Sequence, residues 1–351
     1  MNSILPKDAH DDEVPQWKRL AERKRQAQDN SIPKEWHLPA DHAIPVNPYE
    51  YLKTSGLLTP EEVHITEHTE AKILVYRMIS HQVTAEEVVT AFCKRAAFAQ
   101  QLIKCCTEMF FDNAIEQARS LDRHFETTGR PVGPLHGLPI SLKDVFDVEG
   151  QDTTWGWVSL IGKAAHRHCP LVEILISQGA VPYVKTNVSQ SLMMTDSYNH
   201  IFQQSLHSHN TTFTSGGSSG GEGALVGCRG SVLGIGTDIG GSVRFPANIQ
   251  GLYGLFPTIP RIPLDDSGKR EFLVNPAAGP IASSLGSIEF FMDSLAKGQP
   301  ELYDPACSPI QWSWDLAKLP QKPLKIGYYT YDGYVRVQPP IKQPSWTLFK
   351  P

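Results

Sequence analysis

What this chain lacks narrows its function before any motif is considered. Its six cysteines, Cys93, Cys105, Cys106, Cys169, Cys228 and Cys307, are scattered and form no C-x-x-C pair. That pattern excludes a zinc ribbon and a dense disulfide framework and reads as a protein of a reducing compartment. No run approaches the ~18 uninterrupted apolar residues of a membrane helix, and Met1 to His10 contains no apolar core of a secretory signal. The expected location is therefore cytoplasmic. Neither sign of charge dominates: the net charge of -5 leaves no electrostatic footprint for nucleic acid or an anionic membrane. The phosphate-binding pattern GxxxxGK[ST] is missing, and Gly234-Ile-Gly236 is followed by its third glycine one position late, at Gly240, for GxGxxG. All 13 histidines lie at or before His209. The Gly216-Gly-Ser-Ser-Gly220 match to GxSxG therefore lacks the later histidine of an α/β-hydrolase, although a histidine-first triad stays open. His166, His168, Cys169, His207 and His209 fit no helix-borne zinc pattern and read as loop residues, so no metal is expected.

What is present is the balance of a globular chain, 40% hydrophobic and 20% charged over 351 residues. Residues 1–50 form a polar, proline-punctuated arm. Within it Val14 to Asn30 reads as a charged helix whose thin stripe of Trp17, Leu20, Ala21 and Ala27 has to pack on a larger body. Residues 31–50 read as an extended connector. Thr59-Pro60-Glu61-Glu62 and Thr84-Ala85-Glu86-Glu87 carry the hydroxyl and the glutamate of capping boxes, and a further helix is predicted near Asn113–Phe125. From Pro134 onward short apolar runs alternate with glycine. Leu138–Leu142 and Val181–Val184 are strand candidates around a Leu171–Ser177 helix ended by Gly179, while Ala224–Val226 and Leu233–Ile235 flank glycine-rich turns. The alternation predicts an α/β class with a mixed sheet.

Three segments carry chemistry. Gly137-Leu-Pro-Ile-Ser-Leu-Lys-Asp144 places Lys143 at the end of an apolar strand, where burial would lower its pKa and supply a base near neutral pH. A solvated strand-end lysine is the plain alternative. Thr214-Ser-Gly-Gly-Ser-Ser-Gly-Gly-Glu-Gly223 sets adjacent hydroxyls in a glycine-rich frame. It reads either as a flexible linker or as an ordered turn running into the Ala224–Val226 segment. In Leu233-Gly-Ile-Gly-Thr-Asp-Ile-Gly-Gly-Ser-Val-Arg-Phe-Pro-Ala247, successive amides before Ser242 could form an anion-binding nest. Such a nest suits a tetrahedral oxyanion and is worth roughly 3–4 kcal/mol per key donor.

Read together, residues 133–263 resemble the amidase signature enzymes, most nearly the fungal general amidases of the acetamidase type. The matching pieces are Gly-Leu-Pro-Ile-Ser-Leu-Lys-Asp (137–144), Lys-Thr-Asn-Val (185–188), Gly-Gly-Ser-Ser-Gly-Gly-Glu-Gly-Ala-Leu (216–225) and Gly-Thr-Asp-Ile-Gly-Gly-Ser-Val-Arg-Phe-Pro-Ala (236–247). The resemblance implies the amidase-signature α/β fold, a central mixed sheet covered by helices on both faces. It implies hydrolysis of small carboxamides to acid and ammonia through an acyl-enzyme, without cofactor. Lys143 corresponds to the catalytic base, Ser218 to the bridging serine after a cis peptide bond at Gly217, and Ser242 to the acylated serine. The backbone amides of Ile239, Gly240, Gly241 and Ser242 correspond to the oxyanion hole. Ser215 and Ser219 would support the network, and Asp238 and Arg244 would brace the loop.

Two departures accompany the resemblance: Phe256 stands at a usually basic position and Pro260 at a usually small one. Family members also continue beyond the Lys325–Arg336 region, so the expected organisation is an arm (1–50), a C-terminally shortened amidase domain (51–342) and an atypical tail (343–351). A catalytically impaired homologue and an amidotransferase-type subunit are the alternative readings. The expected partner is a small-molecule amide, with no nucleic acid or membrane partner and with homodimerisation left open.

Overall fold

The computed structural model describes residues 14–39, 42–264 and 274–313, together with positions 318, 323, 325, 331, 333, 334 and 336. The 343–351 tail lies outside the described residues. The chain divides into two compact units, residues 1–311 and 312–351. In the second, the described positions include an isolated antiparallel bridge between Tyr331 and Arg336. The first unit holds the sheet and its helices.

Its helical layer begins with α1 (Gln16–Asn30), α2 (Pro48–Thr54), α3 (Pro60–Thr66), α4 (Ala71–Ile79) and α5 (Ala85–Ile103). Both expected capping boxes form, Thr59 with Glu62 and Thr84 with Glu87, each hydroxyl accepting the amide that its glutamate's backbone offers. Then come β1 (Cys106–Met109), α6 (Phe111–Thr128), β2 (Pro139–Lys143), α7 (Pro170–Ser177), β3 (Val181–Thr186), the short ribbon β4 (Tyr198–Asn199) and β5 (Gln203–Gln204), α8 (Gly220–Gly227), β6 (Leu233–Asp238), α9 (Arg244–Ile249), β7 (Tyr253–Gly254), β8 (Ala277–Ala282) and α10 (Leu285–Lys297).

Six strands form one sheet in the order β1-β3-β2-β6-β8-β7. The centre, β3-β2-β6, is parallel, while β1, β8 and β7 join antiparallel to their neighbours, so the sheet is mixed. Every residue of β2, β3, β6 and β8 is buried, the pattern of strands covered on both faces rather than one. Alternation along the strands then sorts the polar side chains between two sides. Lys143 and its register partner Thr186 face α8, whereas Asp144 and Lys185 point the other way. On that second side Lys24 of α1 reaches Glu108 at 2.5 Å and Asp152 at 2.8 Å. Thus α1 docks on the body as its sequence requires, but through a charged side chain as well as the buried Ala21.

Helix α8 is buried at all eight positions. Its glycines are not linker residues: a Cβ on Gly221 would lie 2.2 Å from Asn187 N and 2.5 Å from Cys105 O, both backbone atoms that cannot swing aside. Gly221→Ala is therefore expected to cost about 3 kcal/mol or more, read as a lowered urea midpoint or as loss of soluble protein. A wild-type midpoint would refute this packing.

Candidate active site

The end of β2, the turn into α8 and the end of β6 converge on one point. Lys143 has no exposed surface. Its Nζ lies 2.8 Å from Ser218 Oγ, 2.9 Å from Thr237 Oγ1 and 3.2 Å from Thr237 O. Burial disfavours the ammonium and lowers Lys143 to about 7, against the opposing pull of Asp238 and Glu222. A lysine whose pKa is lowered toward neutrality can accept the Ser218 proton along the same 2.8 Å contact.

Ser218 is fixed by backbone geometry rather than by flexibility. The Gly217–Ser218 peptide bond is cis, and a Cβ on Gly217 would lie 2.2 Å from Asp196 O. Ser215 holds the preceding turn through its backbone, donating its N–H to Ser205 O and accepting from Gln250 Nε2. Ser219 ties the segments together. Its hydroxyl donates to Thr237 O at 3.2 Å and its N–H to Ser242 O at 3.1 Å.

The loop after β6 is organised by Asp238. Its carboxylate accepts from the amides of Gly241 (2.7 Å), Val243 (3.0 Å) and Arg244 (3.2 Å), and from Arg244 Nε (3.0 Å) and a terminal guanidinium nitrogen (2.9 Å). Burial would raise this carboxyl, but these donors outweigh it and hold it at about 2. Gly241 sits at φ +119°, a conformation that requires glycine. Its amide donates to Asp238 within the segment 239–242. The Arg244 guanidinium also lies 4.9 Å over the Phe256 ring, which gives the unusual aromatic at 256 a partner.

Ser242 and Ser218 open onto a shared cavity of about 460 Å³, with Thr237 and Ile239 beside them. Val145, Leu192 and Ile262 give it an apolar wall, and Pro260 lines it too. Among the described residues no hydrogen bond joins the two serine side chains; their segments are joined by the Ser219 amide. The histidine alternatives are occupied elsewhere: His207 contacts Ile249 O at 3.0 Å and His209 stacks on Tyr49. Among the described residues no group of three or more His, Cys, Asp or Glu could hold a metal ion, and no helix is long and apolar enough to cross a membrane.

Three features of the site were not singled out in the sequence. Thr237, the second anchor of Lys143, carries no sequence signal of its own. The same is true of Glu222, completely buried in α8. The pair Asp144–Lys185, 3.0 Å apart with neither side chain exposed, joins two of the matching segments from opposite strands.

A buried lysine and two serines that share one cavity thus meet at the parallel centre of the sheet. The chain belongs to the amidase family, whose model matches residues 87–348. It is 42% identical over 336 residues to an acetamidase of Emericella nidulans, covering 93% of this chain and 60% of that protein. It is 40% identical to an acetamidase of Aspergillus oryzae, covering 93% of this chain and 61% of that one. Among solved structures it superposes on a fatty acid amide hydrolase with a TM-score of 0.85 at 34% identity, covering 95% of this chain and 60% of that one. The amidase-signature fold, with its mixed sheet, is thereby shown. The chain spans about 60% of the length of these relatives.

Proposed function

We propose that this chain hydrolyses small carboxamides to a carboxylic acid and ammonia, with Ser242 as nucleophile, Ser218 as relay and Lys143 as base. The observation that carries this is the buried Lys143 Nζ, 2.8 Å from Ser218 Oγ, behind a cavity that reaches both serines. Neutral Lys143 takes the Ser218 proton as Ser218 takes that of Ser242, and Ser242 Oγ attacks the amide carbonyl. The oxyanion forms against the amides of Ile239, Gly240 and Ser242. The proton then returns along the relay to the leaving nitrogen, because ammonia departs only once protonated. Water repeats the sequence on the acyl-Ser242 ester and releases the acid. Asp238 and Arg244 hold the loop that presents the amides, and Ser219 sets the spacing of the two serine segments. The acetamidase names of two relatives support a small acyl group.

Ammonia release from a series of aliphatic and aromatic carboxamides tests this reading. Activity is expected in the wild type, with a loss of about 10³-fold or more in Ser242→Ala. Unchanged turnover in Ser242→Ala would remove Ser242 as nucleophile, and a folded wild type inactive on every amide would favour a non-catalytic homologue.

A further inference from the structure

Glu222 is an acid outside the relay, yet it lies fully buried in α8 against the site. The sequence makes room for it: a Cβ on Gly234 of β6 would sit 1.8 Å from Glu222 Oε2. Ser141 donates to Oε2 at 2.6 Å and Thr186 to Oε1 at 2.7 Å. Ser141 stands two residues before Lys143 on β2, and Thr186 is the register partner of Lys143 on β3. Both hydroxyls thus share the strand face that carries Lys143. The carboxyl group is held at the flank of the lysine by two neutral donors.

The cradle satisfies either form of the acid. As a carboxylate, Glu222 accepts from Ser141 and Thr186. As a neutral acid it can donate to Ser141, whose hydroxyl lies 2.9 Å from Ser231 Oγ, which in turn lies 2.9 Å from Leu233 O. One other carboxylate around α8 acts on Lys143, and the remaining charged and titratable groups are engaged elsewhere or bring no charge of their own. Asp238 of β6 pairs with Arg244 of α9 and also favours the Lys143 ammonium, an effect that stays in place when Glu222 is replaced. From β3, Lys185 faces the opposite side with Asp144, and the Tyr183 hydroxyl donates to Gly230 O. From α5, Arg95 pairs with Glu67 and Cys93 is a buried thiol, as is Cys105 in the connection that follows the helix. β8 carries no titratable residue.

We propose that Glu222 is a positioning residue that governs the protonation of Lys143, the two forming one buried acid–base couple. The carboxylate stabilises the ammonium created when Lys143 takes the serine proton; no bond at Glu222 itself forms or breaks. Burial lowers Lys143 to about 7 and raises Glu222 to about 7, so the charge on each group bears on the protonation of the other in the neutral range. The inference rests on the reading of Lys143 as the base, but its test does not need turnover.

The full chain carrying 13C-labelled lysine is titrated by NMR, with the Lys143 signal assigned by its loss in Lys143→Met. Glu222→Gln is expected to move the Lys143 midpoint down by about one pH unit or more, and the acid limb of fluorophosphonate labelling at Ser242 should move with it. Glu222→Asp keeps the charge and is expected to restore most of the midpoint. A merely structural role predicts the reverse order, with the isosteric Gln harmless and the shorter Asp disruptive. A wild-type midpoint in Glu222→Gln would overturn the proposal. Should that variant not fold, 13C-glutamate labelling follows Glu222 instead. By reciprocity its midpoint must rise in Lys143→Met, and no rise would overturn the proposal equally. A shift of Lys143 without any labelling of Ser242 would uphold the couple and count against the catalytic reading alone.

Discussion

Lys143→Met is expected to inactivate the site and stabilise the fold at the same time. In the unfolded chain this lysine keeps its proton up to about 10.5, whereas in the folded protein it loses it near 7. The folded state therefore binds fewer protons between those values, and stability rises with pH across that window. Below about 7 the full penalty of burying the charge is present, on the order of 5 kcal/mol. Methionine removes that penalty and fills similar space. It leaves Ser218 and Thr237 without their Nζ partner, which costs ~1–3 kcal/mol. A net gain of about 2 kcal/mol at neutral pH should appear as a raised urea midpoint. The advantage over wild type should shrink as the pH climbs from about 7 toward 10.5. A destabilised Lys143→Met, or a difference that ignores pH, would show that the lysine is not held as a destabilised base.

Removing charge at the neighbouring position should do the opposite. Asp144 and Lys185 are an ion pair at 3.0 Å with neither side chain exposed. Lys185 Nζ also donates to Asp152 O and Thr153 Oγ1, and Asp144 accepts from the Thr154 amide, so the pair has hydrogen-bonded surroundings. Asp144→Leu strands a buried ammonium and is expected to cost about 3–5 kcal/mol. Adding Lys185→Met should recover most of that loss, because two uncharged side chains need no partner. Chemical unfolding of the two single variants and the double variant checks this. Additive losses would mean that the pair is not coupled. The contrast with Lys143 follows from strand alternation, which leaves one lysine opposite a carboxylate and the other opposite a serine.

Much of this arrangement was legible in the sequence, for reasons that differ by element. The starts of α3 and α5 were readable because a capping box is a local device, complete within four residues. β2 and β3 were readable as apolar runs near glycine, whereas Leu233–Ile235 of β6 read only as a flank of glycine-rich turns. β8, Ala277-Ala-Gly-Pro-Ile-Ala282, was not, since it lacks β-branched runs and contains glycine and proline. Its strand exists because β6 pairs along its whole length and because Gly279 lets Leu255 O approach to where a Cβ would sit. α4 follows Glu70, an N-cap residue without a side-chain cap bond, and was equally silent.

At the site, the same limit separates the motifs from their partners. Lys143, Ser218 and Ser242 were each ambiguous in isolation, and their roles came from the resemblance of three separate segments to one family. The engagement of the Gly241 amide by Asp238 could not be read, because it depends on how the turn closes. The role of Thr237 depends on register between strands about ninety residues apart in sequence, and the cradle of Glu222 on hydroxyls from two separate strands, Ser141 and Thr186, which no local pattern encodes.

The most direct measurement on the site is the mass of the folded protein after exposure to a fluorophosphonate, followed by peptide mapping of the adduct. A single adduct on Ser242 is expected, strongly reduced in Lys143→Met and in Ser218→Ala. A folded protein that takes up no adduct, or that carries it on another residue, would contradict Ser242 as the nucleophile of a lysine-driven relay.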